Sequence, residues 1–329
     1  MNLLVLGGTT FLGPHVVDAA LQARHEIWVF HRGKTPFAFK AGVTERFGDR
    51  TTADIESLTS QHWDAVIDTS GYDPPIVMRS ARGFRESANR YLFVSTISVY
   101  ANLEAGFATE ETRLHPPEAV DDGDAATRYG ARKAACEEVV RGEYADRATV
   151  VRPGLIVGPY DPTDRFTYWV ERLSRGGTIL APGRPSRAVQ CIDVRDLAAW
   201  MIALVENETP GTYHAAGREM PMETFFQAGL DALRPERAEL AWIPDSLLLE
   251  AGVAPWSEMP LWLPDDLGLG NMMTLDDTRA LATGLRFRDI RETFAATNEW
   301  AKTVPETRQR RAGLTPERER QLLSMADVR

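Results

Sequence analysis

Over its first 150 residues the chain alternates short apolar runs with segments whose apolar residues recur at helical spacing. Asn2 to Leu6 reads as a strand buried on both faces, and Leu12, Val16, Ala19 and Ala20 then share one face of a helix from about Phe11 to Ala23. Further strands are predicted at Glu26 to Phe30, Val43 to Phe47, Ala65 to Ile67 and Tyr91 to Val94, with helices between them. A sixth, Ala148 to Val151, follows a helix that contains Tyr129. Strand followed by helix, repeated, is the pattern of a parallel sheet covered by helices, so the expected class is a doubly wound α/β fold. Beyond Pro153 the pattern loosens into proline-rich turns at Gly158 to Pro162 and Ala181 to Pro185, then a helix from about Asp193 to Val205. The expected division is a dinucleotide-binding domain over 1–155 with a return segment near 188–206. A smaller carboxyl-terminal substrate domain over 156–329 ends in a solvated helical tail, started by Thr315-Pro316-Glu317.

Composition narrows the function classes. The 329 residues suit about two domains. With 47 acidic against 37 basic side chains the net charge is −10, which repels phosphate backbones and argues against nucleic acid as a partner. Two cysteines, Cys136 and Cys191, are too few for a disulfide framework and point to a reducing, cytoplasmic compartment. No apolar run is long enough to span a bilayer; the amino-terminal one is broken by Gly7 and Gly8. The six histidines include no pair at ligand spacing on one helix, so no metal site is expected.

Candidate chemistry begins at Gly7-Gly8-Thr9-Thr10-Phe11-Leu12-Gly13, which follows the first strand directly and opens the first helix. Gly7 permits a tight turn, Gly13 permits close helix-to-sheet packing, and the free N–H groups at the helix start suit a pyrophosphate, as in a Rossmann dinucleotide fold. Thr10 stands where a second glycine is usual, so the fingerprint is altered. The second strand ends in His31-Arg32-Gly33-Lys34, with no acidic residue for the adenosine ribose. The cation Arg32 suits the additional phosphate of NADP, which is favoured over NAD. Asp49, after the third strand, is a candidate acceptor for the adenine amino group.

Tyr129 and Lys133 stand four residues apart, on one helix face. A phenol with an ordinary pKa near 10 is a poor base at neutral pH, and a nearby cation stabilises its phenolate. The hydroxyl-rich run Ser95-Thr96-Ile97-Ser98, at the end of the fifth strand, can polarise a substrate oxygen. The glycine turn, Asp64 to Gly71, Val94 to Tyr100, Tyr129 to Lys133 and Val151-Arg152-Pro153-Gly154 occur in an order that resembles the extended short-chain dehydrogenases/reductases, the NAD-dependent epimerase/dehydratase group. The resemblance implies that Tyr129 is the acid/base and that Lys133 lowers its pKa and holds the nicotinamide ribose. It makes Thr96 the hydroxyl partner, with Ser95 the alternative one register away. It also places Ser70 and Gly71 beside the cofactor and Pro153 against the nicotinamide amide, and suggests a homodimer.

Ile97 and Ser98 replace the acid and base that a sugar-nucleotide dehydratase needs, which disfavours dehydration. The expected activity is hydride transfer to or from a hydroxyl or carbonyl carbon of a small molecule, a nucleotide sugar among the candidates, as a reductase or an epimerase. Arg165, Tyr168 and Gln190 are the candidate substrate contacts. The alternative is a non-catalytic nucleotide-sensing or RNA-binding protein, because the glycine turn is also similar to that of chloroplast stem-loop RNA-binding proteins. Those relatives tend to lose the tyrosine that is present here.

Overall fold

The computed structural model describes residues 1–103, 108–305 and 307–327. The elements in chain order begin with β1 (Asn2–Leu6), α1 (Leu12–Gln22), β2 (Glu26–His31), β3 (Val43–Phe47) and β4 (Trp63–Asp68). They continue with α2 (Pro74–Phe84), β5 (Ala88–Val94), α3 (Ala125–Tyr144), β6 (Ala148–Pro153), β7 (Ile156–Val157) and α4 (Arg165–Arg175). After β8 (Gly177–Pro182) and β9 (Ala188–Asp193) come α5 (Val194–Glu206), β10 (Gly211–Ala215), β11 (Arg218–Pro221), α6 (Met222–Leu233) and β12 (Ala238–Ile243). The last helices are α7 (Asp245–Glu250), α8 (Thr278–Ala282), α9 (Ile290–Ala301) and α10 (Pro316–Asp327).

The chain forms two compact units. The first comprises Met1–Leu155, Val194–Ala216 and Leu275–Arg286. Its seven-stranded sheet runs β10-β6-β5-β4-β1-β2-β3 and every pairing is parallel. Helices α1 and α5 pack together, as do α2 and α3. The apolar strands are what such a sheet requires: Leu3 to Leu6, Ala65 to Ile67 and Tyr91 to Phe93 are at most 1% exposed. Strand order reverses between β1 and β4, the switch point outside which ligands bind in doubly wound sheets. The two strand ends are tied there, because the Leu6 carbonyl accepts from Thr69 N (3.2 Å), Thr69 Oγ1 (3.0 Å) and Ser70 Oγ (3.2 Å).

The second unit comprises Ile156–Asp193, Gly217–Thr274 and Phe287–Arg329. It holds a three-stranded sheet, β11-β9-β7, and the parallel pair β12-β8. An aromatic core of Phe166, Phe225, Phe226 and Phe294, all fully buried, joins α4, α6 and α9. The strand Ala188–Asp193 belongs to this unit, and the return into the first unit begins at Val194.

Candidate active site

The glycine turn joins β1 to α1. Gly7 and Gly8 have φ of 100° and 83°, in the left-handed region. A Cβ on Gly13 would lie 2.4 Å from the Cα of Gly8, so only glycine lets α1 start this close to the turn. Phe11 occupies the N-cap position with no side-chain cap, and the first turn carries no acidic residue. Thr9, Thr10 and Phe11 are at least partly open to solvent, while Leu12 is buried beneath them. A helix start with uncapped N–H groups and no competing carboxylate fits an anion, so these residues suit a pyrophosphate.

Arg32 and Lys34 are exposed after β2, and both act on Asp49. Asp49 is held below the ordinary carboxylate range, first by the Thr51 backbone N–H (2.9 Å) and then by the Thr51 hydroxyl (2.8 Å), with the two cations adding to the effect. Two cations and one anion therefore stand together past the carboxyl ends of β2 and β3.

The reactive groups lie at the carboxyl ends of β4 and β5. Thr96 caps a short turn at Ile97–Val99, accepting from Ser98 N at 3.1 Å. Its hydroxyl donates to Ser98 Oγ at 3.2 Å and lies near enough to the Tyr129 phenol to act on its pKa. Gly130 permits this approach: a Cβ there would sit 1.9 Å from the Ser98 carbonyl oxygen, so α3 can lie against the turn only because residue 130 has no side chain. Ser95 faces the other way, with its buried hydroxyl donating to Glu137 at 2.5 Å. Of the two registers, the fold turns Thr96 toward the phenol.

Lys133 is 3% exposed and its ammonium donates to the Gly71 carbonyl at 2.7 Å and the Val94 carbonyl at 2.6 Å. Burial pulls its pKa down to about 8, opposed by Asp68, Cys136 and Glu137. Desolvation by the surrounding protein and the neighbouring Tyr72 push the Tyr129 phenol above its ordinary value, and Thr96 works in the opposite direction. The ammonium has committed two donors to backbone carbonyls, which leaves one for a ligand.

Two buried networks support these groups. Arg50 makes a bidentate pair with Asp68 (2.7 Å for both contacts) and also donates to Ser70 Oγ (3.1 Å) and Ser80 Oγ (2.8 Å), while Tyr91 donates to Asp68 at 2.8 Å. Burial opposes the charge on Asp68, yet Arg50 keeps its carboxyl below the ordinary range. The second network centres on Glu137, which accepts from Arg152 Nη2 (2.6 Å), Arg152 Nε (2.9 Å) and Arg141 (2.7 Å). Arg152 continues to Tyr100 at 2.9 Å, and Tyr100 hydrogen-bonds His214. Pro153 ends β6 beside Ala215 of β10 and is buried. The sequence reading missed Arg50, although an aspartate ending an apolar strand signals a buried charge in need of a partner. It also missed Tyr72. Cys136 is buried, and its thiol is pushed up to about 12, first by burial.

The three candidate substrate residues belong to the second unit and behave differently. Tyr168 is 4% exposed, packed on Trp169 with ring centroids 4.9 Å apart, and a Cβ on Gly313 would collide with its ring. Gln190 is buried and donates to the Gly217 carbonyl at 2.8 Å. Aromatic packing encloses one side chain, and a backbone carbonyl engages the other. Arg165 is partly exposed, with its guanidinium 5.4 Å from the Trp256 ring centre.

A doubly wound sheet with a glycine turn at its switch point and a tyrosine and lysine one helical turn apart defines a dinucleotide-binding protein of the extended short-chain class. The chain belongs to the NAD dependent epimerase/dehydratase family, whose profile matches residues 3–81 and 76–216. It is 25% identical over 224 residues to the chloroplast stem-loop binding protein of 41 kDa b of Arabidopsis thaliana, covering 63% of this chain and 56% of that one. It is 30% identical over 164 residues to 2'-dehydrokanamycin reductase of Streptomyces kanamyceticus, covering 47% and 43%. The chain thus spans about half the length of these relatives. Its fold is similar to that of UDP-glucuronic acid 4-epimerase from Bacillus cereus in complex with NAD, with a TM-score of 0.65, 13% identity, and 94% and 99% of the two chains covered.

Proposed function

We propose that the protein is an NAD(P)-dependent oxidoreductase that reduces a carbonyl carbon of a small sugar-like substrate, and that it prefers NADP. The observation that carries this reading is the buried Lys133 ammonium, anchored on the Gly71 and Val94 carbonyls one helical turn from Tyr129, at the sheet edge where the glycine turn opens. When bound, the nicotinamide supplies the hydride. Tyr129 gives its phenolic proton to the oxygen of the carbonyl being reduced, and a phenol held above its ordinary pKa is in the protonated state that this step needs. Thr96 hydrogen-bonds the same oxygen as charge develops there. Lys133 uses its remaining donor on the nicotinamide ribose, with Ser70 and Gly71 beside it and Pro153 against the carboxamide. The uncapped start of α1, with Thr9, Thr10, Phe11 and Leu12, receives the pyrophosphate.

Arg32, aided by Lys34, favours the NADP phosphate, and Asp49 accepts from the adenine amino group. Arg165 offers a charge to an anionic group of the substrate. The similarity to 2'-dehydrokanamycin reductase supports reduction as the direction of the reaction. Two free, buried cysteines accord with a cytoplasmic setting. A homodimer is the assembly that the family resemblance suggests, and sedimentation would register it. The net charge of −10 and the retained Tyr129 weigh against an RNA-binding role. Consumption of NADPH with a panel of keto-sugars tests the reading. Tyr129→Phe should lower kcat by about 10²–10⁴-fold, and full activity in that variant would overturn the assignment.

A further inference from the structure

Tyr72 follows Gly71 directly, in the loop that joins β4 to α2. It is 58% exposed, unusual for a large aromatic side chain. Its ring centre lies 5.1 Å from the Lys133 ammonium and 6.5 Å from that of Tyr129. On another side the same ammonium lies 4.1 Å from the Phe93 ring centre, and two backbone carbonyls take two of its protons. The cation therefore sits between two aromatic faces. The quadrupole of each face favours the charged form.

We propose that Tyr72 is a positioning residue of this site: its ring covers the Lys133 ammonium, keeps it charged, and holds it on the Gly71 and Val94 carbonyls. The proposal rests on the functional reading above in assigning Lys133 to the cofactor. The need for such a cover follows from the surroundings. Burial drives Lys133 toward losing its proton, and Arg50 adds repulsion. Asp68, Cys136 and Glu137 favour the charge, but Asp68 is paired with Arg50, Glu137 with Arg152 and Arg141, and the Cys136 thiol is itself pushed up to about 12 by burial. An aromatic face contributes without adding another ion to a buried site. The phenolic oxygen is not required for this, so phenylalanine should replace tyrosine.

The test needs no substrate. The protein has four lysines, and Lys34, Lys40 and Lys302 are exposed, so ¹³C labelling of lysine side chains followed by NMR titration resolves Lys133, with Lys133→Met to assign its signal. Tyr72→Leu keeps an apolar cover but removes the ring quadrupole; the Lys133 midpoint should fall by about half a pH unit, while Tyr72→Phe leaves it in place. An unmoved or raised midpoint in Tyr72→Leu, or an equal fall in Tyr72→Phe, overturns the proposal whatever the protein binds. Absence of NADP(H) and NAD(H) binding to the unaltered protein, with the expected titrations intact, would instead overturn the functional reading.

Discussion

Lys133 carries two demands that pull in opposite directions. The proposed cofactor recognition needs its charge, whereas the packing that fixes it between α3 and the ends of β4 and β5 removes water from that charge. The result is a pKa of about 8, below the ordinary lysine value because of burial. The ammonium is therefore present below about pH 8 and is lost as pH rises through that value. NADPH affinity, followed by quenching of tryptophan emission, should fall severalfold from about pH 7 to about pH 9.5. Lys133→Met should bind weakly at every pH across that range; a full pH dependence in that variant would show that another group controls recognition.

At the scale of elements, the decisive feature is how closely α3 meets the turn after β5. Thr96 and Tyr129 lie 33 positions apart in the chain, and a missing side chain at Gly130 lets the helix that carries one lie against the turn that carries the other. Gly130→Ala would set a methyl group against the Ser98 carbonyl, which belongs to the backbone and can yield only by moving the turn or the helix. The expected cost is about 1–3 kcal/mol of stability by urea unfolding. A displacement of ~1 Å at the reacting groups should lower kcat about 10²-fold. Unchanged kcat would mean that the turn yields without disturbing the phenol. The helix is also held by Glu137, and removing one partner of a buried ion pair such as Glu137–Arg152 typically costs about 3–5 kcal/mol. Tyr129, Lys133 and Glu137 stand at four-residue intervals, so one helix carries the phenol, the ammonium and the anchor beneath them.

For the whole molecule, cofactor binding should register as stability, because a ligand that binds only the folded state shifts the unfolding equilibrium. At ~100 times its dissociation constant NADPH should add about 2.7 kcal/mol, raising Tm by about 4 °C in a calorimetric scan. NADH at equal concentration should give a smaller rise, and the double change Arg32→Ala, Lys34→Ala should abolish the difference. Equal shifts for both cofactors in the unaltered protein would remove the case for NADP. The parallel sheet was legible over all six of its first strands: the inner ones are buried on both faces and written as short apolar runs, while the exposed edge strand Val43–Phe47 was placed by its position in the strand-helix alternation. The second unit was less legible: its order rests on aromatic side chains brought together from α4, α6 and α9, which leave no local period.

Local pattern was enough to establish the class of fold, the glycine turn and the shared face of Tyr129 and Lys133, since each depends on residues within a few positions of one another. Only the tertiary structure decided which hydroxyl meets the phenol, where Lys133 spends its protons, that Arg50 neutralises Asp68, and that Tyr168 and Gln190 are enclosed. Those outcomes depend on how closely distant segments approach. That distance is set by the joint packing of the whole core, where a single Cβ decides whether two elements touch.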